Sequence, residues 1–258
     1  MSDACITSEI RTRADGAHIA WITIDNPGKI NILDSRLCTE LRDAANEASD
    51  HPELRAIVLT GAGDRAFIGG ADIREMATLD PDNATAFITG LHEACAAFRF
   101  ALVPVIARIQ GYCLGGGLEV AASCDIRVTA NDGVFGMPEV RVGIPSVIEA
   151  ALLPGLIGWG KTREMLYTGA TFDAAEALAC GLVEKVVGSD ELDAAVEAWL
   201  DGICASAPKA VRAQKALIRK WQELSLEAAI QAGVSTFAEA YRSDEPGKLM
   251  QDFINRPR

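Results

Sequence analysis

The spacing of hydrophobic residues predicts a chain in which strands and helices alternate. Apolar and polar residues alternate on both sides of Asp15-Gly16, a dipeptide that favours tight turns, so residues 5–24 are predicted to form a hairpin. Apolar residues recur at helical spacing after Asp34 and after Asp82, which predicts two helices, over 34–50 and 82–101. Short apolar runs predict buried strands at 54–60, 103–109, 126–130 and 181–187.

Shorter helices complete the pattern up to residue 187, and only helices follow it. The short helices are predicted at 73–77, 146–153, 161–167 and 173–179. From Glu191 onward no strand pattern remains, and the spacing predicts helices at about 191–205, 208–222, 225–242 and 245–254. Because short β, β, α groups recur only before this point, we predict two regions, residues 1–190 and residues 191–258.

Composition argues against several classes of protein. The 258 residues are 49% hydrophobic, which is enough for a large core. A net charge of −12 does not suit a phosphate backbone, so no nucleic-acid partner is expected. The first residues lack a basic segment followed by an apolar one, and Arg108 and Gln110 interrupt the best apolar run. We therefore expect neither a signal peptide nor a membrane span.

Cysteine and histidine give no sign of disulfides or metal binding. The seven cysteines are an odd, scattered set without a C-x-x-C pair, which is typical of reduced thiols in a cytoplasmic protein. His18, His51 and His92 are isolated from one another and lack the spacing of metal ligands. The sequence therefore predicts a cytoplasmic protein without a metal site.

Three consecutive glycines, Gly115 to Gly117, are the strongest chemical signal in the chain. They follow the predicted strand at 103–109 and open a small-residue helix that carries Glu119 in its first turn. Glycine lets another group approach the backbone closely, and the free N–H groups of a helix start favour a negative oxygen. Gly69-Gly70 is a second such place. Residues 61–66 match a dinucleotide fingerprint formally, but glycines follow where it needs a helix, so a tight strand exit is predicted instead.

The run from Gly111 to Asp125 resembles the signature of the crotonase (enoyl-CoA hydratase/isomerase) superfamily. It reads G-Y-C-L-G-G-G-L-E and ends in C-D. Other segments resemble family motifs in the same order along nearly the whole chain: N-P-G-K-I-N-I-L at 26–33, I-V-L-T-G at 57–61, F-I-G-G-A-D-I at 67–73, F-G-M-P-E at 135–139, and T-G with G-L-V at 168–183.

The resemblance implies an α/β fold with a spiral core of ββα turns and C-terminal helices that pack subunits into trimers or hexamers. It also implies a coenzyme A thioester as ligand, whose carbonyl oxygen accepts hydrogen bonds from two backbone N–H groups. These groups fall on Gly69 and Gly116. Such donors stabilise the enolate charge that develops on the oxygen, by roughly 3–4 kcal/mol for one donor.

Glu119 and Glu139 occupy the two positions where hydratases of this family carry paired glutamates. Hydration needs a group that activates water and a group that gives a proton to the α-carbon. We assign the first role to Glu119 and the second to Glu139, with some sharing between them. Family isomerases typically keep only one of the two acids, so the pair favours a hydratase. A single glutamate in either position is more often a structural charge, near a helix cap for Glu119 or in solvent for Glu139, so the assignment depends on the pair.

Further residues are assigned by the same resemblance. A segment that meets coenzyme A comprises Lys29, Ile30, Ala71, Asp72, Ile73 and Arg74, in which Asp72 also caps a short helix. Phe253 and Arg256 match positions that face a neighbouring subunit's ligand. Asp125 and Cys113 are interpreted as structural, and Lys29 and Arg74 as the bases that meet phosphates.

The chain departs from its family after Glu139. A glycine-rich segment that lines the acyl end in many hydratases is replaced by bulkier residues, among them Pro145, Ser146 and Glu149, which we assign to the acyl pocket. Three interpretations of Glu149 stay open: an ion-pair partner, which is favoured, a contact to a polar substrate, or a catalyst.

The sequence therefore predicts an enoyl-CoA hydratase, a lyase typical of fatty acid (lipid) metabolism, without a cofactor other than the coenzyme A of its substrate. One alternative is another reaction of the superfamily, double-bond isomerisation or thioester hydrolysis. A second alternative is a non-catalytic thioester- or RNA-binding relative. The negative charge and the acid pair both weigh against the second alternative.

Overall fold

The computed structural model describes residues 4–255, and within them the backbone forms ten strands. In chain order they are β1 Cys5–Thr12, β2 His18–Asp25, β3 Leu54–Gly61, β4 Ala66–Ile68, β5 Val105–Ile109, β6 Tyr112–Leu114, β7 Ile126–Ala130, β8 Val134–Gly136, β9 Thr171–Asp173 and β10 Lys185–Val187. Strands β3 and β5 are largely buried on both faces because layers of side chains cover them on both sides.

The described part of the chain also forms ten α-helices. They are α1 Ser35–Asp50, α2 Ile73–Met76, α3 Pro81–Phe100, α4 Gly116–Ser123, α5 Leu153–Thr168, α6 Ala174–Ala179, α7 Leu192–Ala205, α8 Pro208–Glu223, α9 Leu226–Ala240 and α10 Glu245–Ile254. Each of the first three helices has an aspartate as its N-cap residue. The side chains of Asp34, Asp72 and Asp80 each accept a backbone N–H of the first turn.

The strands form two sheets that share the turns of one spiral. The larger sheet has the order β1-β2-β3-β5-β7-β10, and only β1 and β2 pair antiparallel. The smaller sheet has the order β4-β6-β8-β9, in which β8 and β9 pair antiparallel. Successive turns therefore contribute one strand to each sheet: β3 and β4, then β5 and β6, then β7 and β8. The predicted α/β spiral of ββα turns is confirmed.

Two hydrophobic clusters hold these layers together. The larger lies between the sheets and α1, α3 and α4, and includes Leu41, Phe67, Phe98 and Phe135. The smaller lies on the other face of the larger sheet, where α7 covers strands β2, β3, β5 and β7. The start of α4 is thus packed between a sheet and α3, which gives the glycine run a rigid setting.

Some elements differ from the prediction. Helix α5 consists of two helical segments that meet at a kink, because the φ of 72° and ψ of 161° at Gly158 are not helical. The second segment contains the helix predicted at 161–167, whereas the first begins at Leu153, later than the predicted 146. Residues Ile148–Leu152 form a 3-10 turn, not the start of an α-helix. The last core strand is only Lys185–Val187. Strands β6 and β9, of three residues each, are too short for a hydrophobic pattern to indicate.

The C-terminal region is helical, as predicted, and leaves large apolar side chains in solvent. On α9 and α10 these include Leu226, Val234, Phe237 and Phe253. Contiguous exposed apolar surface of this kind is typical of a surface that contacts another protein. In residues 4–255, no helix is both long and apolar enough to cross a membrane.

Candidate active site

Glu119 and Glu139 line one cavity of about 230 Å³ at the start of α4. Its walls come from four segments that are far apart in sequence: Gly69 to Met76, the α3 residues Phe87, Ile88 and Leu91, the glycines at 115–116, and residues 138–147. The β4-to-α2 connection and the β6-to-α4 connection meet here because β4 and β6 are neighbours in the smaller sheet. The fold thus brings together the two glycine segments and both predicted acids.

Glu119 lies in the first turn of α4 and is only 4% exposed. Its Oε1 accepts a hydrogen bond from the backbone N–H of Ala150, at 3.0 Å. The pKa of Glu119 is raised to about 8, chiefly by burial and also by the negative charges of Glu139 and Glu149, while the hydrogen bond from Ala150 N–H opposes the rise. In the free enzyme Glu119 therefore holds a proton at neutral pH.

Glu139 follows Pro138, which is the first residue of a 3-10 turn over Pro138–Val142. Its Oε2 accepts a hydrogen bond from Ser146 Oγ at 2.8 Å. Burial raises the pKa of Glu139, and the hydrogen bonds from its own backbone N–H and from Ser146 oppose that rise. The carboxyl also lies against Gly115, where a Cβ atom would be 2.5 Å from Oε1.

The two carboxyl groups differ in a way that suits acid–base chemistry. Glu119 is the more deeply buried of the pair, and the charge of Glu139 disfavours its ionisation. Two acids that face one cavity and repel each other hold a single proton over a range of pH. One member of the pair then accepts a proton while the other gives one.

Gly116 is placed as predicted for a donor to a thioester oxygen. It is the first residue of α4, so its N–H has no acceptor within the helix, and it lines the cavity. The positive end of the helix dipole adds to the attraction for negative charge. A Cβ atom at Gly116 would be 2.8 Å from Leu91 Cδ2, so the close packing of α3 requires glycine here.

Gly69 is not free to be the second donor, and this prediction is corrected. Its N–H donates to the carbonyl oxygen of Ile30 at 2.9 Å. Leu33 makes two backbone hydrogen bonds to the same segment: its N–H donates to Gly70 C=O, and its C=O accepts the N–H of Asp72. These two bonds pair Leu33 with Ala71, the central residue, in a parallel bridge. In such a bridge the N–H of the central residue points to the opposite side. Ala71 lines the cavity, and its N–H is not used by the bridge to Leu33, whereas that of Gly69 is bonded to Ile30.

The cavity continues into a second, apolar cavity of about 550 Å³. Most residues that line the second cavity also line the first, namely Ile73, Met76, Phe87, Ile88, Val142, Ile144, Pro145 and Val147. The outer part adds Ala77, Leu79, Ala84 and Thr85, so no charged side chain lines the second cavity. Several of the shared residues are exposed. An apolar group that enters beside the two acids therefore has a continuous apolar path outward.

Most of the predicted coenzyme A segment lies outside the lining of the cavity that holds the acids. Lys29 is largely exposed and its Nζ lies 3.8 Å from Asp72 Oδ2. Asp72 caps α2 by accepting the N–H of Arg74, which confirms its structural role. Ile30 packs its side chain beneath Gly69. Of this segment, only Ala71 and Ile73 line the cavity itself.

The predicted acyl-pocket residues separate into two groups. Pro145 and Ser146 line the cavity, as expected. Glu149 does not line it: the side chain is 4% exposed and its Oε1 accepts a hydrogen bond from His92 Nδ1 at 2.8 Å. The favoured interpretation of Glu149, an ion-pair partner, fits this contact, which is an ion pair when the imidazole is protonated.

The remaining predicted residues lie elsewhere. Phe253 is on α10 and is 72% exposed, whereas Arg256 lies outside the described residues. Asp125 is structural, as predicted, since its Oδ2 accepts the N–H of Val105 and the Nζ of Lys215. Cys113 is buried, as predicted. In residues 4–255 no three His, Cys, Asp or Glu side chains are grouped so as to hold a metal ion.

Sequence reasoning missed three groups in or behind the site. They are the N–H of Ala150, the imidazole of His92 and the side chain of Leu91. Backbone donors carry no sequence signal, and His92 lies 57 residues from its partner. Helical spacing places Leu91 on the buried face of α3, and that was the only available signal.

Comparison with known proteins agrees with this geometry. The enoyl-CoA hydratase/isomerase family model matches residues 14–258. The short-chain-enoyl-CoA hydratase of Clostridium acetobutylicum is 33% identical over 92% of both chains. The crotonyl-CoA hydratase of Syntrophomonas wolfei is 32% identical over the same share. The crystal structure of an enoyl-CoA hydratase from Bacillus anthracis superposes with a TM-score of 0.90 at 28% identity, covering 96% of this chain and 95% of that one. The chain therefore belongs to the enoyl-CoA hydratase/isomerase family.

Proposed function

We propose that this protein is an enoyl-CoA hydratase that adds water reversibly to a 2-enoyl-CoA thioester and gives the 3-hydroxyacyl-CoA. The observation that carries the proposal is the meeting of Glu119 and Glu139 in one cavity with the free helix N-terminus at Gly116. An isomerisation needs one group that moves a proton. A hydration needs two, one for water and one for carbon, and this cavity holds two.

The thioester oxygen accepts hydrogen bonds from the N–H groups of Gly116 and Ala71. These donors withdraw electrons from the C2=C3 double bond, so that C3 becomes electrophilic and negative charge develops on the oxygen. Ionised Glu119 takes a proton from water while the water oxygen bonds to C3. The electron pair of the double bond moves to C2, which takes a proton from Glu139. After the reaction Glu119 is protonated and Glu139 is ionised, and both return to their starting states when one proton passes from Glu119 to Glu139.

The arrangement in which Glu119 carries the single proton suits the reverse reaction directly. Protonated Glu119 gives its proton to the departing hydroxyl of the 3-hydroxyacyl group, and ionised Glu139 takes the proton from C2. Hydration starts from the other arrangement of the same single proton, with Glu139 protonated and Glu119 ionised. Both directions therefore use the one-proton state that burial and mutual repulsion favour.

The acyl group is proposed to be apolar and longer than four carbons. The cavity at the acids continues into the second cavity, whose lining side chains are uncharged and offer no partner to a charged acyl end. Lys29 and Arg74, which do not line the cavity, are proposed to meet the phosphates of coenzyme A. No cofactor beyond the coenzyme A of the substrate is proposed.

Assembly and location are also proposals. The exposed apolar faces of α9 and α10 support association into trimers or hexamers, in which Phe253 contacts a neighbouring subunit. The seven free thiols support a reducing compartment, the cytoplasm.

The test is a turnover assay with 2-enoyl-CoA substrates of increasing chain length. We expect the absorbance of the conjugated thioester to fall and ¹⁸O from labelled water to appear on C3. Glu119→Gln and Glu139→Gln are expected to lose turnover by at least about 1000-fold each, as both groups act in the same step. Loss of absorbance without label on C3 would identify a different reaction. Unchanged turnover in both variants would refute the assigned site.

A further inference from the structure

Glu149 is a buried carboxyl group that accepts one side-chain hydrogen bond among the described residues. Its Oε1 accepts a hydrogen bond from His92 of α3, whereas its Oε2 is buried without a hydrogen-bond partner. His92 is 49% exposed, so the imidazole connects a buried acid to the surface. Burial of a carboxylate with half of its hydrogen-bonding capacity unused is costly. A residue that keeps such a cost has a role that the proposed mechanism does not yet include.

The backbone on both sides of Glu149 is constrained. Ile148 has a φ of +37°, a left-handed conformation that is rare for a β-branched residue. Ala150 N–H donates to Val147 C=O at 2.9 Å and also to Glu119 Oε1 at 3.0 Å. A strained turn relaxes unless neighbouring contacts hold it, and the contact to His92 is positioned to hold this one.

Helix α3 therefore contacts the site at two consecutive residues. Leu91 packs on Gly116, where a Cβ atom would be only 2.8 Å from its Cδ2, and His92 bonds to Glu149. One turn of α3 thereby supports both the predicted oxyanion donor and the turn that bonds to Glu119. Glu149 itself does not line the cavity, so it is not placed to touch substrate.

We propose that Glu149, held by His92, is a positioning residue that keeps the Ile148–Ala150 turn in place so that Ala150 N–H orients Glu119. The proposal rests on the proposed hydratase function. It assigns a role to the acid that distinguishes this chain from the glycine-rich family pattern. The strain at Ile148, the pair with His92 and the hydrogen bond to Glu119 lie within three consecutive residues, and the pair explains how the other two persist together.

The charge of Glu149 has a second effect on the same acid. His92 and the buried Cys95 face Glu149 from α3, and Glu119 faces it from α4, with Glu139 opposite Glu119. The negative charge of Glu149 raises the pKa of Glu119. A variant that keeps the shape of residue 149 but not its charge separates this effect from positioning.

The experiment compares Glu149→Gln, Glu149→Ala, His92→Gln and His92→Ala in the full-length protein. Glutamine at 149 still accepts a hydrogen bond from His92, so kcat is expected within about threefold of wild type, with the basic limb of kcat/KM moved down by roughly 0.5–1 pH unit. Alanine at 149 releases the turn, so kcat is expected to fall about 100-fold with KM within about threefold. His92→Ala is expected to act like Glu149→Ala, and His92→Gln, which restores a donor, is expected to recover most of the loss.

A residue that only stabilises the fold would change the unfolding midpoint and leave kcat and the pH profile of the folded enzyme unchanged, and that result overturns the proposal. If Glu149→Ala does not fold, the proposal is tested by the two His92 variants: kcat must fall in His92→Ala and recover in His92→Gln. If wild type has no hydratase activity, the proposed function fails on its own. The proposal is then tested by ¹³C NMR titration of labelled glutamate, in which Glu149→Gln and His92→Ala must both change the titration of Glu119.

Discussion

Ser146 donates a hydrogen bond from its Oγ to Oε2 of Glu139, at 2.8 Å. This bond opposes the rise in the pKa of Glu139 that burial causes, so Ser146→Ala is expected to raise that pKa. The acid limb of kcat/KM, where the pair takes up its second proton, then moves to higher pH, and kcat falls by roughly tenfold. The pH profile of kcat/KM measures both effects. Ser189→Ala, at an exposed position, is the control, and equal profiles for the two variants would contradict the prediction.

Glu119→Gln is expected to inactivate the enzyme and to stabilise its fold. The Glu119 carboxyl titrates near 4.5 in an unfolded chain but at about 8 when folded. Between these values the folded state binds more protons, so the free energy of unfolding of wild type falls as pH rises. The glutamine variant has no carboxyl group there, so its free energy of unfolding does not fall in this way. The difference in unfolding free energy between the variant and wild type therefore grows from pH 4.5 to 8 and then stays constant, on the order of 2–4 kcal/mol.

Chemical denaturation of both proteins at several pH values measures that advantage. Glu139→Gln is a suitable comparison, since the pKa of Glu139 is raised by the same cause but its side chain is only partly buried. Glu139→Gln is expected to raise the free energy of unfolding in the same direction, but by less than Glu119→Gln. A stability difference that does not vary with pH would refute the assigned cause.

Ala84→Phe is expected to change chain-length preference. Ala84 lines the second cavity and not the one that holds the acids, so a phenyl ring there occupies space that only a long acyl chain reaches. The ratio of kcat/KM for ten-carbon over four-carbon substrate is expected to fall at least about tenfold. Ala86→Phe is the matched control on the same helix, because Ala86 is exposed and lines neither cavity. A wild-type ratio in Ala84→Phe would place the acyl chain elsewhere.

Lys215→Met is expected to destabilise the fold without a change in chemistry. The buried ammonium of Lys215 donates to the carbonyl oxygens of Phe98 and Val103 and to Asp125 Oδ2. Loss of the cation leaves these acceptors buried without a donor, at a cost of about 3 kcal/mol. The exposed Lys220, on the same helix, supplies the control Lys220→Met. The unfolding free energy and the pH profile of kcat/KM are measured for both, and a shifted profile in Lys215→Met would contradict a purely structural role.

The sequence predicts the parts of this site that lie within one continuous segment. Gly116 and Glu119 belong to one helix turn, so the spacing of the motif already places the donor and the acid together. Glu139 follows a proline that starts a turn, and this local signal also suffices. The pairing of strands β4 and β6 then brings Gly70 and Ala71 to the same place.

The sequence does not predict what depends on contacts between distant segments. Gly69 and Ala71 are both small residues in the same motif, and which N–H faces the cavity is decided by the pairing of this segment with Leu33 and Ile30. Likewise, nothing local indicates that His92 meets Glu149. The apolar pattern at 146–153 predicted a helix, but residues Ile148–Leu152 form a 3-10 turn and the α-helix begins only at Leu153.

Gly115 has a consequence for how such enzymes diverge. Its φ of +53° and ψ of −126° exclude other residues, and a side chain there would collide with Glu139 Oε1. Two independent structural requirements therefore favour glycine at position 115: its backbone conformation and the space that the Glu139 carboxyl occupies. In a lineage that loses the second acid, the steric requirement disappears while the conformational one remains, so the glycine outlasts the chemistry that it accommodates. Descendants can exchange acids around an unchanged backbone, and new reactions can then arise without a new scaffold.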